Sequence, residues 1–311
     1  MSTTTTTTIF VCGATGTQGG ALINNILKTP SVKAHAIARD PSSPKSQLLK
    51  TAGVSLFPGD FNDAASLRTA MQNCTALFIN LMPSLADLTQ ELAQAERLLA
   101  IAKEVGVQHV VYSSGFSVDH PEQRKYYNPD GFVTKLLFSK QRVEGAVRDA
   151  GFKYYTIIRP GNFMTNMLAP HVNVMYAGLV ENAEITTAFT PDMVLPMVDP
   201  DDIGKFALAA FKEPERFNGQ EFEIASELMR FDDVVRALGE VMGKEVKINY
   251  MSQEEIEEKI ATNPFLGGQL MMRDMVECVD MDKVRAWGIP LTSFEEFLRR
   301  EEGRVKSTYG L

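Results

Sequence analysis

The stretch Ile9-Phe10-Val11-Cys12-Gly13-Ala14-Thr15-Gly16-Thr17-Gln18-Gly19-Gly20 decides how the rest of the chain is read. Four apolar residues make a short buried strand, the glycines at 13, 16 and 19 make a tight turn, and residues 20–27 carry apolar side chains at helical spacing. Strand, glycine-rich turn and helix in that order suit a pyrophosphate. The glycines let the backbone approach it closely, and the helix N-terminus offers unpaired N–H groups. Glycine spacing alone marks only a turn. The context makes Gly13, Thr15, Gly16, Thr17, Gln18 and Gly19 candidates for a dinucleotide site.

Working outward, residues 9–12, 32–38, 54–57, 76–80, 107–113 and 154–158 read as strands, and 20–27, 64–72, 88–105 and 132–150 as helices between them. Most of the strands read as largely hydrophobic runs, as expected where helices cover both faces of a parallel sheet. The fold class expected is α/β, a Rossmann-type doubly wound parallel sheet with a second, smaller C-terminal substrate or partner subdomain. Past Arg159 the rhythm breaks, with proline, methionine and aromatic residues mixed together. Helices are expected at 201–211, 231–242, 252–260, 265–279 and 293–301. Strands are expected at 246–250 and at 221–225, the latter returning to the large sheet. The domains expected are a disordered Thr-rich tail over 1–8, a nucleotide-binding domain over 9–160 and the smaller subdomain over 161–311.

Arg39 follows the second strand, about 20 residues after the last loop glycine, where an acid would hold the ribose 2′-hydroxyl of NAD. An arginine there suits a 2′-phosphate, with Lys45 within reach of the same group. Asp40 comes one residue later. NADP(H) is therefore the cofactor expected. The alternative is a solvated charge at a strand end.

The net charge of −8 over 311 residues disfavours direct nucleic-acid binding, which needs clustered Lys and Arg. Cys12, Cys74 and Cys278 are odd in number and scattered, and the four histidines show no ligand spacing, so neither a disulfide framework nor a metal site is expected. No apolar run approaches membrane-spanning length, and the opening Met-Ser-Thr run lacks the basic and apolar blocks of a secretory leader. A cytoplasmic location is expected, or a nuclear one for a regulator.

Beyond the glycine loop, the chain carries Ala38-Arg39-Asp40, Gly59-Asp60-Phe61, Phe138-Ser139-Lys140 with Val143-Glu144, and Arg159-Pro160-Gly161-Asn162-Phe163-Met164-Thr165-Asn166. With these segments it resembles, over most of its length, the NmrA-like family of atypical short-chain dehydrogenases/reductases, near the isoflavone-reductase-like branch. The resemblance implies that Asp60 and Phe61 border the adenine and that Asn80, Leu81 and the adjoining Met82 flank the adenosine ribose and pyrophosphate. It also implies that Lys140 meets the nicotinamide ribose. The family includes NADPH-dependent reductases and also proteins that bind the dinucleotide without turning it over and regulate a partner.

Many short-chain reductases set a tyrosine four residues before the lysine, on the same helix face. Here that position is Leu136. The candidates left for catalysis are Lys140, Ser114 at the end of the fifth strand, and Tyr127 from the long polar segment 116–130; Ser113 is expected at the cofactor. Residues 159–166 are expected to open the substrate cleft, with Pro160, Asn162 and Phe163 at the cofactor and with Phe163, Met164, Met167 and Met175 as soft apolar walls. Met271 and Met272 are expected to complete it. The function expected is an NADPH-dependent oxidoreductase transferring hydride to an apolar or aromatic carbonyl or enone. The alternative is a catalytically silent NADP(H)-binding redox sensor that regulates a partner protein. The expected partners are a small apolar or aromatic substrate, with a protein partner and a homodimer as the other options.

Overall fold

A computed structural model describes residues 7–84 and 86–311, which form two compact units. The first runs to Val118 and adds Phe138–Arg159 and Pro200–Phe222; the second takes Asp119–Leu137, Pro160–Asp199 and Glu223–Leu311. This differs from a single boundary near residue 160.

In the first unit the chain runs β1 (Thr7–Val11), α1 (Thr17–Leu27), β2 (Val32–Ala38), α2 (Pro44–Thr51), β3 (Ser55–Pro58), α3 (Ala64–Met71), β4 (Ala76–Ile79), α4 (Gln90–Glu104) and β5 (His109–Ser113). Helix α5 (Phe132–Asp149) begins in the second unit, and β6 (Tyr154–Pro160) follows. The strands lie in the order β6-β5-β4-β1-β2-β3, all pairing parallel, with Gln220–Ile224 beyond β6. The order reverses between β1 and β4, the switch point at which ligands of doubly wound sheets bind. Strands β4 and β5 are buried along their whole length, so they show no alternation to read. Phe10, Leu77, Ile79, Leu98, Val110, Tyr112 and Ile157 form part of one core. The edge is fastened by charge. Arg159 is buried and donates to Glu144 and Glu221, and Glu221 also takes two hydrogen bonds from Arg148.

Several expectations are corrected. Thr7 and Thr8 pair with Val32 and Lys33 and so belong to β1 rather than to a tail; the expected disorder over residues 1–6 lies outside the described residues. Helix α2 was not anticipated. Pro-Ser-Ser-Pro-Lys-Ser reads as loop, yet Ser43 caps the helix from its Oγ and Pro44 starts it.

In the second unit, Glu227–Arg230, Val194–Val198 and Asn162–Phe163 make one small sheet, and Lys247–Tyr250 pairs with Glu184–Thr187 in another. Met164 and Met167 do not line a cleft. They are fully buried with Phe189, Phe231, Leu238, Phe294 and Phe297. The helix expected over 265–279 is Pro264–Met272 followed by a 3-10 turn, Met275–Cys278. A last helix, Glu302–Tyr309, was unforeseen. No described helix is long and apolar enough to cross a membrane.

Candidate functional site

The turn after β1 is built by two glycines. Gly13 sits at φ +65°, where a side chain is strained, and a Cβ there would lie 3.2 Å from Asn80 Nδ2. At Gly19 a Cβ would overlap the Gly13 carbonyl oxygen and lie 2.5 Å from that of Cys12, so α1 can pack this tightly only through glycine. The Gly16 N–H donates to Gly13 O at 2.8 Å and closes the turn. Gly16 is also the N-cap of α1; it offers no side-chain acceptor, and the first turn holds no acid. The first helical bond runs from Gly20 N to Gly16 O, which leaves the amides of Thr17, Gln18 and Gly19 without an acceptor four residues back.

Side chains tie this turn to the ends of β4 and β5. Ser113 Oγ donates to Gln18 Oε1 at 2.5 Å, and Gln18 Nε2 donates to Asn80 Oδ1 at 3.1 Å. Three sequence candidates are thereby joined in one hydrogen-bonded row. Burial pushes the Cys12 thiol up to about 12, so it is no nucleophile.

A cavity of about 690 Å³ opens beside the turn. Gly13–Thr15, Arg39, Asp60, Phe61, Leu81 and Met82 contribute to its wall. Arg39 is exposed and forms no ion pair with the described residues. Asp40, although adjacent, is held by its own turn: its Oδ1 accepts from Ser42 N at 2.9 Å and from Ser42 Oγ at 2.5 Å. Those bonds, the hydroxyl's first, keep its carboxyl below the usual carboxylate range. Asp60 likewise accepts from Asn62 N at 2.8 Å, and Arg97 Nη1 holds the Phe61 carbonyl at 3.1 Å. Met82 is 83% exposed at the wall. Lys45 is exposed on α2 and not part of the wall, whereas Ser43 and Ser46, unremarked in the sequence, are.

Lys140 is not in the cavity wall but touches it. Its Nζ donates to Leu81 O at 3.3 Å and to Glu91 Oε1 at 3.0 Å, and 17% of its side chain is exposed. Glu91 is fully buried and accepts a further 2.6 Å hydrogen bond from Ser139 Oγ. Sequence reading missed Glu91. The signal was there, because it shares the inner face of α4 with Ala95, Leu98 and Ala102, where an acid needs a partner. Ser114 is buried close to the Tyr112 phenol. Burial and then the Glu91 charge push that phenol well above its ordinary range.

Tyr127 stands half-buried in the second unit, where Asn162, Phe163 and Pro160 also belong. Asn162 is buried; its Oδ1 accepts from Asn166 Nδ2 at 3.0 Å and its Nδ2 reaches Met197 Sδ at 3.3 Å. At the neighbouring Tyr126, a hydrogen bond with Arg273 holds the phenol below its ordinary value.

The first unit fits a phosphorylated dinucleotide. Glycines clear the space that Cβ atoms would fill, the amides at the start of α1 have no internal acceptor, and Arg39 is an uncommitted cation in the same cavity wall.

Comparison with known proteins agrees with this architecture. The model of the NmrA-like family matches residues 5–295. The NmrA-like family domain-containing oxidoreductase hkm9 of Aspergillus hancockii is 27% identical over 270 residues, covering 81% of this chain and 77% of its own. Among solved structures, the negative transcriptional regulator NmrA superposes with a TM-score of 0.73 at 23% identity over 94% of both chains. The NADPH-dependent quinone oxidoreductase QOR2 of Escherichia coli gives 0.71 at 21% identity, over 94% of this chain and 98% of that one. With a family match across nearly its whole length, the chain belongs to the NmrA-like family.

Proposed function

We propose that the protein is an NADPH-dependent oxidoreductase that delivers hydride to an apolar or aromatic carbonyl or enone. The observation that carries the cofactor choice is the pairing at the end of β2: Arg39 stands uncommitted in the cavity wall, while Asp40 is tied to Ser42. An acid free to bind a ribose 2′-hydroxyl would favour NADH; a free guanidinium favours a 2′-phosphate. When bound, the nicotinamide supplies the hydride.

The chain's own residues bind and orient. The free amides of Thr17, Gln18 and Gly19 receive the pyrophosphate, the glycines at 13 and 16 let it approach the turn, and Thr15 and Thr17 stand beside it. Asp60 and Phe61 border the adenine, Asn80, Leu81 and Met82 the ribose and pyrophosphate, and Lys140 the nicotinamide ribose. Ser113 fixes Gln18 and thereby the loop. Lys140 and Ser114 are the proposed polar groups at the reacting end. Pro160, Asn162, Phe163 and, as proton donor, Tyr127 are proposed contributions of the second unit, which takes the role of the substrate-binding part. The oxidoreductase hkm9 and the quinone oxidoreductase QOR2 support this reading by likeness.

The test is loss of NADPH absorbance with purified protein against 1,4-naphthoquinone, benzylideneacetone and aromatic ketones. Turnover with at least one class supports the proposal; tight NADPH binding with no turnover by any sinks it.

A second reading, a silent NADP(H) sensor that regulates a partner protein, is favoured by two features. Leu136 stands where a tyrosine would donate the proton, and the lysine four residues on is already paired with a buried acid.

A further inference from the structure

Glu91 has no place in the cavity wall, yet it is a fully buried carboxylate at the start of a helix whose first residue, Gln90, does line the cavity. Leaving a carboxylate there costs free energy unless it is both paired and hydrogen-bonded. Both conditions are met by one short segment of α5: Ser139 Oγ donates to Oε2 and Lys140 Nζ to Oε1. The lysine stem passes Gly115, where a Cβ would lie only 3.1 Å from Lys140 Cδ. An ammonium has three protons to donate. Two are committed, to Glu91 and to the Leu81 carbonyl, and among the described residues the third has no acceptor.

We infer that Glu91 is a positioning residue, which together with the Leu81 carbonyl fixes the Lys140 ammonium so that its remaining N–H points to a ligand. This rests on the reading of Lys140 as a group at the reacting end. Leu81 itself lines the cavity, so the lysine is anchored to the same chain segment that borders the cofactor site. A free lysine has four rotatable bonds and considerable rotamer entropy; held at two points, it meets a ligand with little left to lose. The hydroxyl of Ser139 holds the acid's other oxygen and sets the carboxylate plane.

Two readouts test this, one of them independent of turnover. In cofactor-free protein, acylation of Lys140 by acetic anhydride is followed by peptide mass spectrometry. Releasing the ammonium in Glu91→Gln should raise its rate about tenfold, the ratio that corresponds to roughly 1.4 kcal/mol. With NADPH and 1,4-naphthoquinone, Glu91→Gln should lower kcat by tenfold or more while KM for the quinone and Kd for NADPH change by less than threefold. Glu91→Asp, which keeps the charge but shortens the reach, should fall between the two and serves if the glutamine variant does not fold. Unchanged acylation and unchanged kcat in these variants, with Lys140→Met inactive, would overturn the inference and leave Lys140's role intact. Full turnover by Lys140→Met would remove both.

Discussion

Replacing Lys140 by alanine strips the cation from a carboxylate that has no exposure to water. Removing one partner of a buried ion pair typically costs about 3–5 kcal/mol, because the remaining charge stays desolvated. Here Ser139 still donates to Glu91 Oε2, so the lower half of that range, about 3–4 kcal/mol, is expected. That is a large share of the roughly 5–15 kcal/mol that holds a typical native state. The second substitution should give part of it back. In Lys140→Ala/Glu91→Gln the orphan charge is gone and the amide oxygen still accepts from Ser139, so recovery of about 2 kcal/mol is expected, within the usual range for coupled neighbours. Urea unfolding measures this directly, as a drop in midpoint for the single variant and a partial return for the double at unchanged slope. A single variant that loses less than about 1 kcal/mol, or a double no more stable than the single, would refute the reasoning. The result also bears on activity, since a dead Lys140→Ala protein could be an unstable one.

Three further outcomes follow from the site and the core. Arg39→Glu should raise Kd for NADPH by a hundredfold or so, the loss of a charge-assisted contact of roughly 3 kcal/mol, and leave NADH binding within a few-fold, as read by fluorescence titration. Gly19→Ala forces a Cβ onto the Gly13 and Cys12 carbonyl oxygens; it should abolish dinucleotide binding, whereas Gly20→Ala, 3.4 Å from the nearest atom, should bind normally in the same titration. His109 is buried between Tyr154 and Phe211, and burial brings its ring down to about 4 from 6.5. The unfolded chain takes up a proton that the native state refuses, so stability should be level above pH 6.5 and fall by roughly 3 kcal/mol as pH drops toward 4. His109→Phe should flatten that part of the urea midpoint profile.

How far the sequence could be read depended on what kind of signal each element carries. β2 was legible to the residue, because Val32, Ala34, Ala36 and Ala38 are buried on alternate positions, and so was the turn around Gly13 and Gly19, because alternation and obligatory glycines are local facts. Helix α2 is an eight-residue element in a Ser-Pro stretch with a single buried residue, Ser46, so no apolar periodicity announces it. Val194–Val198 carries Pro196 in its middle, and Asn162–Phe163 is too short to show any pattern. At the site, Gln18, Asn80 and Ser113 were each named, but their joining in one row depends on parallel pairing across β1, β4 and β5. Lys140 was named and its partner was not: forty-nine residues separate it from Glu91, and only the packing of α5 against α4 brings them together. Met164 and Met167 show the opposite error, since soft apolar side chains suit a core as well as a pocket.

The central claim, that the bound nicotinamide is used for chemistry and not only for sensing, is tested most directly by isotope transfer. Purified protein is incubated with NADPH deuterated at the transferable C4 position and with benzylideneacetone, and the product is analysed by mass spectrometry and NMR. The account predicts one deuterium per saturated ketone, at the β-carbon, and none with Lys140→Met. NADPH bound tightly, with no deuterium in any product from this enone or from an aromatic ketone, would contradict it.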